Sequence, residues 1–210
     1  MRKLLVAVGA CLLTAVVSAG PPPLIIVDVG LPDMNCFFST NCTIAKAHDF
    51  VSWLTIPGTT GQGIVQSRTY VGQPGAPLAG YAAYVYRVDV TGIQSSPLAP
   101  AYVQSLTVPF AGEIINRDYD HNGTTNDDVW VMTSGSGGTV NLSSAISTRT
   151  NITFTFSQPI ACAVGTNAGQ SSLYFGITST RANELAIGQV KATMGTNLFT
   201  LTVTNLCPAL

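Results

Sequence analysis

Residues 118–128 carry the densest chemistry of this chain. Oxygen-bearing side chains stand at alternate positions, Asp118, Asp120, Asn122, Thr124 and Asn126, with Gly123 sixth and Asp127 and Asp128 closing the run. Thr124 would contribute its carbonyl. Calcium takes about six to eight hard oxygens from carboxylates, amides and backbone carbonyls, and a glycine allows the sharp turn that aims them at one centre. Only 9% of the chain is Asp, Glu, Lys or Arg. Acid this concentrated, with Glu113 just ahead of it, calls for a cation or for water. The expected cofactor is calcium, in a structural role.

The run departs from an EF-hand. Position twelve, there a bidentate acid, is Val129, and position eight is Thr125. Both flanks, 113–115 and 129–131, read as strands rather than helices. The segment resembles instead the nine-position calcium hairpins of β-proteins such as integrin-type propeller blades. No blade-length repeat is present, so a propeller is not implied. Without a closing bidentate glutamate, affinity falls in the weak extracellular range of about 10⁻⁴–10⁻³ M. The competing reading is a solvated hairpin with Asn122-Gly123 as a type I′ turn.

Other chemistry is sparse. His48-Asp49 are neighbours that point apart in an extended chain, which argues against a catalytic dyad. Glu113 with Asp118, Asp120, Asp127 or Asp128 would supply a glycosidase carboxylate pair. No Gly-x-Ser-x-Gly elbow occurs. The glycines around 135–138 are followed by no lysine or helix that would make a phosphate cradle. Trp53, Trp130 and the tyrosines offer sugar-stacking surfaces, although most sit in alternating strands where core packing is the default. Trp130, beside the acidic run, is the aromatic to watch.

The elements that must position these residues are strands. Period-two alternation is clearest at 84–90, where Tyr84, Tyr86, Val88 and Val90 share one face and Arg87 and Asp89 the other. It recurs at 102–110 (Tyr102, Leu106, Val108 and Phe110 inward), at 150–157 and at 198–204. Further strands are expected at 24–29, 49–56, 63–71, 129–133, 140–143, 173–178 and 187–194. The only helix candidate is 43–49. Strands recurring between Gly, Pro, Ser and Asn predict an all-β fold: one antiparallel β-sandwich, immunoglobulin-like or jelly-roll. Threonine-rich outer faces fit sheets with one wet side.

Residues 1–19 read as a secretory signal peptide: a basic start, an apolar run from Leu4 to Val17, and small residues up to Ala19. A lipoprotein signal ending at Cys11 is the alternative, with a shorter apolar region. Residues 20–210 then form a single domain. Four of the five cysteines follow the leader, Cys36, Cys42, Cys162 and Cys207. An even count in an exported chain reads as two disulfides. Three connectivities are open, of which Cys36–Cys42 and Cys162–Cys207 are favoured, the second pinning the last strand with about 4 kcal/mol. A net charge of −1 offers no field for nucleic acid or anionic membrane. No later segment is long and apolar enough to insert in a membrane.

The segment 172–179, Ser-Leu-Tyr-Phe-Gly-Ile-Thr-Ser, the alternating strand 84–90 and the low charge resemble bacterial exported β-sandwich surface proteins, including those with PEP-CTERM sorting tails. The sorting tail itself is absent. The expected role is a secreted, non-enzymatic surface, matrix or adhesion protein, located extracellularly, at the cell surface or in the periplasm. Extracellular glycan or another surface protein is the expected partner, and self-assembly through a strand edge is open. The alternatives are a carbohydrate-binding module and a glycan hydrolase using the acidic cluster.

Overall fold

The computed structural model describes residues 21–135 and 137–209. The expected leader, 1–19, lies outside the described residues. The chain runs β1 (Ile26–Gly30), α1 (Leu31–Phe38), β2 (His48–Leu54), β3 (Thr60–Gly61), β4 (Gly63–Val71), β5 (Ala82–Asp89), β6 (Ile93–Ser95) and β7 (Ala101–Pro109). It continues through β8 (Val129–Ser134), β9 (Leu142–Ser147), β10 (Asn151–Ala161), β11 (Ala163–Val164), β12 (Tyr174–Ser179), β13 (Asn183–Met194) and β14 (Asn197–Pro208). The all-β expectation holds.

These strands form three sheets: β1-β8-β12-β5-β4-β2, β14-β13-β7-β10-β9 and the small β11-β6-β3. The pairing is not wholly antiparallel, because β1 runs parallel to β8 and β11 parallel to β6. The two large sheets bury a common apolar cluster. Tyr84, Tyr86 and Val88 of β5, Phe175 of β12, Phe154 of β10 and Leu106 of β7 all belong to it. Phe154 and Phe175 meet across the layers at 4.9 Å between ring centroids, and the buried Tyr86 hydroxyl donates to the Leu206 carbonyl at 3.0 Å. The alternation seen in 84–90 is thus a true inward face.

Strand 102–110 behaves differently. Registers with both neighbours slip between Val103 and Ser105, and this bulge reverses the alternation. Val103 is fully buried in place of the expected Tyr102, which is half-buried.

The expected helix at 43–49 does not form. Asn41 accepts the Thr43 amide on its side chain at 3.1 Å, Cys42 adopts φ 57°, and the Ala47 amide donates to Thr69. The helix is α1, with Pro32 at its start and Asp33 in its first turn, both favourable there. Met34, Phe37 and Phe38 of α1 pack with Leu78, Ile115, Tyr119, Trp130 and Met132 in a second apolar cluster. This cluster covers the outer face of β8 and part of β5, so β8 is buried on both sides from Val129 to Met132.

Cys36 and Cys42 are bonded and staple α1 to the following turn. The expected Cys162–Cys207 bridge is absent, and both thiols are free and buried. Cys162 donates its amide to Ala101, which faces Met194, whereas Cys207 faces Glu184. The two cysteines therefore sit at opposite ends of β13. At roughly 3.3 Å per residue that is about 30 Å, far beyond the roughly 7 Å limit between bridgeable Cα atoms.

Two of the edge strands, β9 and β14, are covered in part. Leu24 pairs with Ala145 beside β9. Outward amides of β14 are taken by hydroxyls, Thr204 by Ser52 at 3.1 Å and Leu206 by Ser67 at 2.9 Å.

Candidate metal centre

The acidic run is a loop closed at its base by an isolated bridge. The Asp127 amide donates to the Arg117 carbonyl at 3.0 Å, and the Arg117 amide to the Asp127 carbonyl at 3.3 Å. Residues 113–115 form no strand; Ile114 makes one isolated bridge to Ser179. The type I′ hairpin turn is also absent. That turn requires φ > 0 at both central residues, and the positive values fall on His121 (59°) and Gly123 (90°), not on Asn122.

Tyr119 anchors the loop. Its ring is fully buried, and its hydroxyl donates to Ile115 or Thr178, 3.1 and 2.8 Å away. Burial pushes its phenol up to about 12. Phe37 of the stapled helix meets Tyr119 edge-on at 5.2 Å and stacks on His121 at 5.3 Å. The disulfide, helix and loop are therefore one packed unit.

With Tyr119 held inward, alternation turns its neighbours the other way. Asp118, Asp120 and Asp127 each bring a carboxylate oxygen within 4.8 Å of the others. The loop is preorganised by the same residues. Asp118 Oδ2 accepts the Gly123 amide at 2.9 Å, and Asp127 Oδ2 accepts the Tyr119 amide at 2.7 Å. Asp120 Oδ1 accepts the Asn122 amide at 3.1 Å, and Asn122 Oδ1 accepts the Thr124 amide at 2.8 Å, local turns favoured by Asx side chains.

The second oxygens are the informative ones. Asp118 Oδ1 and Asp127 Oδ1 are buried and have no hydrogen-bond partner. Asp127 as a residue is only 1% exposed. Its carboxyl is raised above the ordinary value, first by burial, with the charges of Asp120 and Asp118 adding and the backbone amides of Tyr119 and Asp120 opposing. Among the described residues no Lys or Arg forms an ion pair with Asp118, Asp120 or Asp127. The ion pairs Lys46–Asp49, Arg68–Asp49 and Arg87–Asp89 leave these acids out, and Arg117 lies over the Tyr81 ring. An all-oxygen set with two orphaned carboxylate oxygens is suited to a hard cation.

The expected ligand set is only partly assembled. Asp128 faces away: its Oδ2 accepts the Ile25 amide at 2.8 Å, and its Oδ1 accepts Asn116 Nδ2. Asn122 commits its amide to Thr124 and to Asp120 Oδ2. Thr124 and Asn126 are exposed in the same loop. Tyr119, the anchor, was missed because it stands between ligands in the alternation, although an aromatic at that point is itself the cue.

Other candidates resolve simply. Glu113 is exposed outside the carboxylate triad. His48 Nδ1 contacts Thr69 Oγ1 at 3.0 Å while Asp49 pairs with Lys46, Gln66 and Arg68, so they form no dyad. Trp130 is fully buried and offers no sugar platform, whereas Trp53 is 66% exposed. Compared with known proteins, the chain matches no family model, no curated protein and no solved structure.

Proposed function

We propose that this is an exported, non-enzymatic surface or matrix protein whose loop 118–127 is made rigid by one calcium ion. Asp118, Asp120 and Asp127 would supply the first ligands, and loop carbonyls and water the rest. The observation that carries this reading is a triad whose carboxylates come within 4.8 Å of one another while Asp127 Oδ1 and Asp118 Oδ1 are buried without a hydrogen-bond partner. A disulfide suits an oxidising compartment. Among the described residues no helix is long and apolar enough to cross a membrane. The apolar cluster shared by the two large sheets supports a sandwich with a third, minor sheet at its margin.

The acids favour an ion over hydrolysis. Their oxygens converge within 4.8 Å, which excludes the inverting spacing of about 6.5–9.5 Å and lies near the retaining spacing of about 5–5.5 Å; what favours an ion is the third carboxylate and the two unpartnered oxygens, Asp118 Oδ1 and Asp127 Oδ1. The carbohydrate-binding reading has one observation of its own, the exposed Trp53 on β2, and a glycan array discriminates it: one reproducible sugar class supports it, silence opposes it. The calcium reading is tested by thermal unfolding in millimolar calcium and in EDTA. Calcium raises the midpoint of the parent and leaves Asp118→Ala/Asp120→Ala unmoved; equal midpoints for the parent in both buffers would overturn it.

A further inference from the structure

Asn122 and Gly123 form the only Asn-Gly pair in the chain, and the calcium reading leaves the Asn122 side chain outside its ligand set. The pair is exposed, as is the loop around it from Asp120 to Asn126. Gly123 has φ 90°, and a Cβ placed on it would meet nothing within 4 Å. An asparagine side chain before a glycine is open to attack by the next backbone nitrogen, because no Cβ shields that nitrogen.

Three hydrogen bonds hold this pair in a way that favours such an attack. Gly123 donates its amide to Asp118 Oδ2 at 2.9 Å, which sets a carboxylate on the proton that must leave. The nitrogen attacks with the π density normal to its peptide plane, so an in-plane hydrogen bond does not obstruct it. Asn122 Oδ1 accepts the Thr124 amide at 2.8 Å, a donor on the oxygen where negative charge develops. Asn122 Nδ2 donates to Asp120 Oδ2 at 2.9 Å, so the side-chain amide is fixed at both ends. Other asparagines are placed differently. Asn126 precedes Asp127, whose amide is held by the Arg117 carbonyl at 3.0 Å. Asn141 turns its Oδ1 onto the Leu142 amide at 2.6 Å, and Asn151, Asn183, Asn197 and Asn205 stand in strands.

We propose that Asn122 is a self-deamidation site whose reaction is catalysed by its own loop. The Gly123 nitrogen bonds to Asn122 Cγ as its proton passes to Asp118. The Thr124 amide stabilises the oxyanion on Oδ1. The Cγ–Nδ2 bond then breaks, and Nδ2 takes the proton from Asp118 and leaves as ammonia. Solvent water opens the resulting succinimide at either carbonyl, giving aspartate or isoaspartate at position 122. The consequence for calcium rests on the reading proposed above: isoaspartate lengthens the backbone by one carbon, draws the Gly123 amide off Asp118 and weakens the ion site. The conversion itself needs no ion.

The test ages the folded mature chain in EDTA at mildly alkaline pH, beside a synthetic peptide of residues 114–128. Loss of the amide is followed by mass in the fragment that trypsin releases between Arg117 and Arg149, and isoaspartate by an isoaspartate methyltransferase. Product is expected at Asn122 ahead of Asn126 and Asn141. It forms about tenfold faster than in the peptide, short of the roughly 10²–10⁴ of a fully placed general base. Asp118→Asn slows the folded chain to the rate of the peptide, and Thr124→Pro, which removes the amide donor, slows it as well. No product at Asn122, equal product at Asn126 or Asn141, a folded rate no higher than the peptide's, or a folded Asp118→Asn that ages like the parent would each overturn the proposal. The comparison of parent with peptide decides the matter even if neither variant folds. A chain that deamidates yet binds no calcium upholds this inference and overturns the calcium reading, and one that binds calcium without deamidating does the reverse.

Discussion

Asp127 and Asp128 are chain neighbours whose carboxylates serve opposite sides of the backbone. Asp127 turns inward to Asp118 and Asp120, and Asp128 turns outward to the Ile25 amide at 2.8 Å. One residue thus belongs to the candidate ion site and the next fixes the start of β1 against β8.

This division separates two variants. Asp127→Asn removes a charge from the crowded triad, so without calcium it keeps or raises the parent's stability, and it abolishes the calcium response. Asp128→Ala loses two hydrogen bonds and about 1–2 kcal/mol, with the calcium response retained. Urea unfolding of both variants, with and without calcium, checks the contrast.

The raised carboxyl of Asp127 sets a pH dependence in calcium-free protein. Burial is the leading cause, and the folded state holds its proton above the unfolded value of 3.8. Protons bound by the folded state then exceed those bound by the unfolded state, so stability falls as pH rises. This contribution is full below 3.8 and is lost as pH rises through the higher folded value. Asp127→Asn flattens that limb of the stability profile, measured by denaturant midpoints in EDTA across the acid range.

Cys162 and Cys207 are free and buried, with burial pushing Cys162 up to about 12 and burial with the Glu184 charge pushing Cys207 to about 11. A thiol reagent at neutral pH therefore finds essentially no reactive thiol in the native mature chain and two after unfolding. None after unfolding would mean that a second disulfide exists. Cys36→Ser/Cys42→Ser costs about 2–3 kcal/mol for a loop this short in the chain-entropy model.

Gly176 permits the burial of Trp130. A Cβ there would lie 2.5 Å from the Tyr84 carbonyl and 2.6 Å from the Trp130 ring. Gly176→Ala therefore overpacks the second apolar cluster and destabilises by about 1–3 kcal/mol, read from the urea midpoint.

Strand existence was legible where period two is regular: 63–71 emerges as β4, and 84–90 as β5 with Tyr84, Tyr86 and Val88 inward as expected. Alternation failed where both faces are covered. Trp130 sits on the outward side of β8, yet α1 and Tyr119 bury it, and nothing local to 129–133 announces that cover. The eight residues of α1 are too few for a helical period, although Pro32 and Asp33 mark its start. In the acidic loop the composition was readable and the direction of each acid was not. The Arg117–Asp127 bridge and the inward Tyr119 decide that Asp127 joins the triad and Asp128 leaves it.

The central claim is most directly tested by calorimetric titration of calcium into the mature, disulfide-bonded chain and into Asp127→Asn. The account predicts one site per chain with a dissociation constant of about 10⁻⁴–10⁻³ M, absent in the variant. No binding to the parent, or the same binding to a folded Asp127→Asn, would contradict it.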